Sequence, residues 1–147
     1  MADNRQMDVD DFLDFFYQID KKMRELQEKR NFDERMAKML LQTDDPDSRF
    51  KANLIIRMMN AMSRLDFFIN YIHQPVKMEG MLQQKLDGTV RLNEIVIDEN
   101  TNIEIMTGGE WQIGMLKRNP STRRFEIQSP DGKCILEKIE QIQARIR

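Results

Sequence analysis

The chain has 147 residues, 40% apolar and 33% charged, with a formal net charge of −2 and a single cysteine. That length suits one ordinary domain or two small modules. No apolar run approaches the ~20 residues of a spanning helix, the first residues lack a signal-peptide layout, and a lone Cys134 has no internal disulfide partner, so a reducing cytoplasm is the expected compartment.

Charge is unevenly distributed. Residues 1–20 hold six acids against Arg5, whereas residues 117–147 hold eight bases against four acids. Carboxylates suit a helix N-terminus. The basic end gives the C-terminal part a positive field that favours phosphates or an acidic partner.

Val9, Phe12, Phe16, Ile19, Met23 and Leu26 recur at heptad spacing and predict a first long helix. Asp8 can cap it, and Leu13 and Phe15 widen the stripe enough for more than one neighbour. The phase then breaks. Asn31 and Glu34 read as a capping box, with Phe32, Met36, Met39 and Leu40 as a new stripe. Asp45 and Pro46 start another helix running to about Tyr71, with Leu54, Met58, Leu65 and Ile72 among its apolar positions. Two long seams joined by a short break argue for an antiparallel hairpin. Twelve methionines suit loose helix packing.

From Pro75 the period changes to two. Val76, Met78, Gly80 and Leu82 alternate with Lys77, Glu79, Met81 and Gln83, and Asp87-Gly88 is a hairpin turn. Further short strands follow around Val90, Ile95, Ile103-Glu104-Ile105, Trp111-Ile113-Met115, Arg123–Gln128 and Cys134–Leu136, separated by Gly, Asp and Asn turns. The tail fits either a helix or a closing strand, and a final strand at about 142–147 is favoured. The expected fold class is α+β: a long helical hairpin over 1–75, then a small antiparallel β-sheet or barrel-like module over 76–147.

No catalytic constellation stands out. His73, the only histidine, sits where it would cap a helix C-terminus, and Cys134 lies on an apolar strand. No phosphate-loop, metal-protease or nucleophile-elbow motif occurs. The arginines say more. Arg118, Arg123 and Arg124 flank one turn, and Arg145 and Arg147 would share one side of a strand. Arginine suits bidentate phosphate contacts, and Trp111 or Phe125 would supply a stacking surface. The alternative is a solvated basic rim beside a core tryptophan, with Arg64 in an ordinary surface ion pair.

Ile69-Asn70-Tyr71-Ile72-His73-Gln74-Pro75-Val76-Lys77-Met78-Glu79-Gly80-Met81-Leu82, then Asp87-Gly88, Ile103-Glu104-Ile105, Glu110-Trp111-Gln112-Ile113-Gly114 and Ala144-Arg145-Ile146-Arg147, together resemble an uncharacterised family of small β domains in bacteria and their mobile elements. The resemblance covers about the last 80 residues. With a helical hairpin in front, the chain also resembles the phage sponge proteins that counter Thoeris defence by sequestering cyclic ADP-ribose-type signals. It departs from them at Gly88-Thr89-Val90, where an aromatic would follow the glycine.

The resemblance implies a cytoplasmic homo-oligomer, a dimer or assembly of dimers. It implies no catalysis and no cofactor. The ligand it implies is a cyclic nucleotide, of the cyclic ADP-ribose type or a cyclic oligonucleotide. Arg64, Arg118 and Arg145 match its basic positions and Asn100 its amide, with Trp111 and Arg147 beside them. A protein-binding inhibitor or adaptor is the competing expectation. Nucleic acid is disfavoured as a partner by the net acidic charge.

Overall fold

The computed structural model describes residues 8–30 and 33–147. The capping box at Asn31 and the apolar side chains of Phe32, Met36 and Leu40 lie outside what is described. Helices come first: α1 (Val9–Arg30), a short α2 (Glu34–Met39), a 3-10 turn (Leu40–Gln42) and α3 (Pro46–His73). Strands follow: β1 (Met78–Gln84), β2 (Val90–Leu92), β3 (Ile95–Val96), β4 (Asn102–Thr107), β5 (Glu110–Arg118), β6 (Phe125–Gln128), β7 (Cys134–Leu136) and β8 (Ile142–Ile146). The chain divides into two compact units between His73 and Gln74. No helix among the described residues is long and apolar enough to cross a membrane.

In the helical unit, α1 begins where the sequence places it. The carboxylates of Asp8 and Asp11 each accept the other residue's backbone N–H at 3.0 Å, a reciprocal cap that also meets the positive end of the helix. Asp45 caps α3 by accepting the Ser48 N–H at 2.9 Å. Pro46 then takes the first helical position, where a missing N–H costs nothing.

The two long helices run antiparallel. Tyr17 meets the His73 ring at 5.3 Å, and Arg24 Nε lies 3.3 Å from an Asp66 oxygen. The buried Asp20 carboxylate accepts from Arg24 at 2.7 Å. The α1 face turned to α3 therefore carries Tyr17, Asp20, Arg24 and Gln27 with Met23 of the heptad seam, whereas Val9, Phe12, Phe16 and Leu26 stay exposed. The Asp20–Arg24 pair is internal to α1, and Arg24 carries the charge contact across to Asp66 of α3.

In the β unit every pairing is antiparallel, and the strand order is β3-β2-β1-β8-β4-β5-β6-β7. Two meanders, β1–β3 and β4–β7, are thus joined only by the C-terminal strand β8 inserted between β1 and β4. The sheet is open rather than a closed barrel, with β3 and β7 as its edges. Left-handed backbone at Asn93 and Glu94 (φ 49° and 66°) makes the tight β2–β3 turn. Leu82, Leu92, Ile103, Ile105, Leu116, Ile127 and Ala144 are fully buried and form the core.

Candidate functional site

Directly opposed residues in a ladder point to the same side of a sheet. Glu79, Arg145, Glu104 and Ile113 form one such row across β1, β8, β4 and β5. Alternation along β5 adds Trp111 and Lys117 to that side, while Leu116 and Arg118 fall on the core side with Ile127 and Phe125.

Around Glu104 the polar side carries a compact cluster. Glu104 is only 5% exposed. One of its oxygens accepts from Arg147 Nε at 2.6 Å and the other from Arg145 Nε. Arg147 also donates to the Gln74 carbonyl at 2.9 Å. The Arg145 guanidinium lies over the Trp111 ring, 4.2 Å from its centroid, a cation–π stack. Burial pushes the Glu104 carboxyl up, but the hydrogen bonds and charges of Arg147 and Arg145 outweigh it and hold the group below the ordinary glutamate range.

The chemistry of this cluster centres on Arg145. Its Nε is committed to Glu104, its plane rests on Trp111, and among the described residues its two terminal nitrogens donate to no protein group. These nitrogens are fixed, parallel donors suited to a carboxylate or phosphate. Two arginines against Glu104 leave one positive charge. Glu79, opposite Arg145 and bonded to Gln143 Nε2 at 3.1 Å, tempers it.

The other expected site residues fall elsewhere. Arg118 lies over Phe125, 4.3 Å from its centroid, and donates to the Arg123 carbonyl at 3.3 Å. Register puts it on the opposite side of the sheet from Arg145, so the two do not share one pocket wall. Asn100 is a turn residue in left-handed backbone (φ 71°) whose N–H donates to the Leu116 carbonyl at 2.7 Å. Its side-chain oxygen accepts from Lys117 Nζ, so its amide is engaged in holding the turn. Arg64 is exposed on α3 in the helical unit. Sequence reasoning passed over Glu104, although an acid between two isoleucines in a strand was a visible signal of a charge set against the sheet.

The titratable candidates for chemistry have structural duties. His73 Nδ1 lies 2.7 Å from the Ile69 carbonyl, to which it donates, closing the end of α3. Partial desolvation, with Glu126 and Glu137 nearby, pushes the Cys134 thiol up, away from the reactive thiolate. Among the described residues no His, Cys, Asp and Glu group is arranged to hold a metal ion. A cleft of about 200 Å³ between α1 and α3 is lined by Asp20, Met23, Arg24, Gln27, Met62, Ser63 and Asp66, but its arginine is already engaged by both acids. Compared with protein-family models, with curated proteins and with solved structures, the chain matches none.

Proposed function

We propose that the β unit is a non-catalytic binding module for a compact anionic ligand bearing a flat ring, and that the protein acts by sequestering it. The observation that carries this reading is the Arg145 guanidinium, fixed by Glu104 and stacked on Trp111, with its terminal nitrogens donating to no protein group among the described residues. A phosphate would take those nitrogens, and a base would extend the stack. Cyclic nucleotide signals combine both features, and the motif resemblance to phage sponges favours the cyclic ADP-ribose type, with cyclic oligonucleotides as the neighbouring class. In this reading the protein is a homo-oligomer assembled through its helical unit, carried by a phage or mobile element, and blocks a host defence signal in the cytoplasm. His73 and Cys134, tied to structure and held protonated respectively, support capture without conversion.

Trp111, the single tryptophan, gives a direct readout. Its fluorescence is followed while cyclic ADP-ribose isomers and cyclic dinucleotides are titrated, and mass spectrometry identifies the bound molecule after denaturation. Saturable binding and recovery of the unaltered ligand are expected. A charge-assisted hydrogen bond is worth ~1.5–3 kcal/mol, so Arg145→Ala weakens binding about ten- to a hundredfold. Absence of binding by every compound at about 100 μM, a binding free energy of roughly −5.5 kcal/mol, overturns the ligand class. A converted product overturns sequestration.

A protein-binding inhibitor or adaptor is the second reading. It draws on the exposed aromatic residues of α1. It predicts no nucleotide response at Trp111 and a stoichiometric complex with a purified partner.

A further inference from the structure

The heptad seam of α1 is only partly consumed within the helical unit, where Ile19 and Met23 are half-buried and Met23 lines the cleft against α3. Phe12, Phe15 and Phe16 are 42–54% exposed, and Val9 and Leu26 are open as well. A second stripe runs along α3 through Phe50, Leu54, Met58, Phe68 and Ile72, all exposed. On a helix of about 3.6 residues per turn, each stripe lies between a quarter and a third of a turn from the α1–α3 contact, displaced in the same rotational sense about its own axis. For antiparallel helices, equal senses put both stripes on one side of the hairpin. Aromatic side chains bury ~150–250 Å² each. The five phenylalanines, about half exposed, therefore leave on the order of 500 Å² open, and the aliphatic members add a comparable area. Together that exceeds the few hundred Å² common on monomers and is enough for the ~800 Å² per partner of a stable interface.

Charge along α1 selects the occupant and its direction. The N-terminal end carries Asp8, Asp10, Asp11 and Asp14 without a base, and the C-terminal end carries Lys21, Lys22, Arg24, Lys29 and Arg30 against Glu25 and Glu28. On the flank of the seam away from α3, helical spacing places Asp8 and Asp11 at one end and Lys22 and Lys29 at the other. Parallel α1 helices would set acid against acid. Antiparallel ones set each acidic end on the other's basic end.

We infer that this face binds a second copy of the chain, with α1 antiparallel to α1 of the partner about a two-fold axis, forming a four-helix assembly centred near Phe16. The inference rests on the self-association included in the proposed function and specifies its surface and direction. It is independent of what the β unit binds, so a dimer that takes no nucleotide would leave it intact.

The experiment uses the full chain with Cys134→Ser. Sedimentation gives the mass at 10–100 μM, about the range in which a modest interface is populated. Oxidative cross-linking is then compared for Val9→Cys alone, Leu26→Cys alone and an equimolar mixture. A dimer mass, with cross-links strong in the mixture and weak in each protein alone, is expected. Phe16→Asp, already exposed and hence compatible with the hairpin fold, should weaken dimerisation at least tenfold. Asp8→Lys with Asp11→Lys should do the same, and mixing with Lys22→Glu/Lys29→Glu protein should restore association. A monomer mass overturns the proposal, as does a dimer indifferent to Phe16→Asp. Cross-linking of Val9→Cys to itself overturns the antiparallel direction.

Discussion

Glu104 and Arg145 stand directly opposite one another on β4 and β8, and their side chains close an ion pair across the strand that joins the two meanders. The same carboxylate holds Arg147, so the last strand is fastened through two side chains as well as its backbone ladder. A pair of this kind, nearly removed from water, is costly to break because the remaining charges stay behind. Arg145 and Arg147 keep 21% and 13% of their side-chain surface exposed, which softens that cost. Glu104→Gln should destabilise the β unit by about 3 kcal/mol, the lower end for breaking a buried pair. Urea unfolding checks this, and an unchanged midpoint would show that the pair contributes nothing.

The pH dependence follows from the same carboxylate. Its folded value lies below the ordinary one, so unfolding takes up a proton in acid. The stabilisation is fully present above the unfolded value of ~4.3 and is lost as the pH falls through that value toward the folded one. Glu126, held low by hydrogen bonds from Gln128 and then Asn119, acts in the same direction. Wild-type stability should therefore fall below about pH 4.5 more steeply than that of Glu104→Gln. Equal slopes in denaturant titrations over that interval would refute the assignment to Glu104.

Much of this architecture was legible beforehand. The change of period after Pro75, the Asp45-Pro46 start of α3 and the Asp87-Gly88 turn are local signals, and local chemistry sets those features. The position of β8 between β1 and β4 is not local, and nothing in residues 142–147 encodes which strands they join. For that reason Arg145 and Arg147 could be assigned to one side of a strand but not to Glu104. The α1 seam misled in a different way. Its apolar pattern marks a contact surface, but the face that meets α3 carries the buried Asp20 with its partner Arg24, and most of the seam stays exposed.

Register separates two arginines that the sequence leaves side by side in role. Arg145 lies with Trp111 and Arg118 with Phe125 on the other side. Arg118→Ala should change ligand affinity at the Trp111 face less than twofold, a fraction of the ~1.4 kcal/mol that makes a factor of ten. It should cost ~0.5–1 kcal/mol of stability through the lost stack on Phe125. Parallel titrations of Arg118→Ala and Arg145→Ala decide the matter. An equal loss in both would mean that the ligand contacts both sides.

Gly114 sits on the buried side of β5, where the sheet has no room for a side chain. A Cβ built there meets Ile127 Cγ2 closely, the Gln128 carbonyl oxygen at 3.0 Å and Ile135 Cδ1 at 3.3 Å. The obstruction includes backbone of the paired strand β6, so it is not relieved by one rotamer change. Gly114→Ala should destabilise the β unit by ~1–3 kcal/mol, the usual range for overpacking. Gly88→Ala meets no atom within 4 Å, and its cost comes from left-handed backbone alone (φ +83°). The two substitutions therefore separate under a second change. Ile127→Ala creates space beside Gly114 and should make Gly114→Ala markedly less costly, whereas the cost of Gly88→Ala should simply add. Chemical denaturation of the three single and two double variants measures the coupling. Strict additivity at both glycines would show that Ile127 is not what Gly114 makes room for.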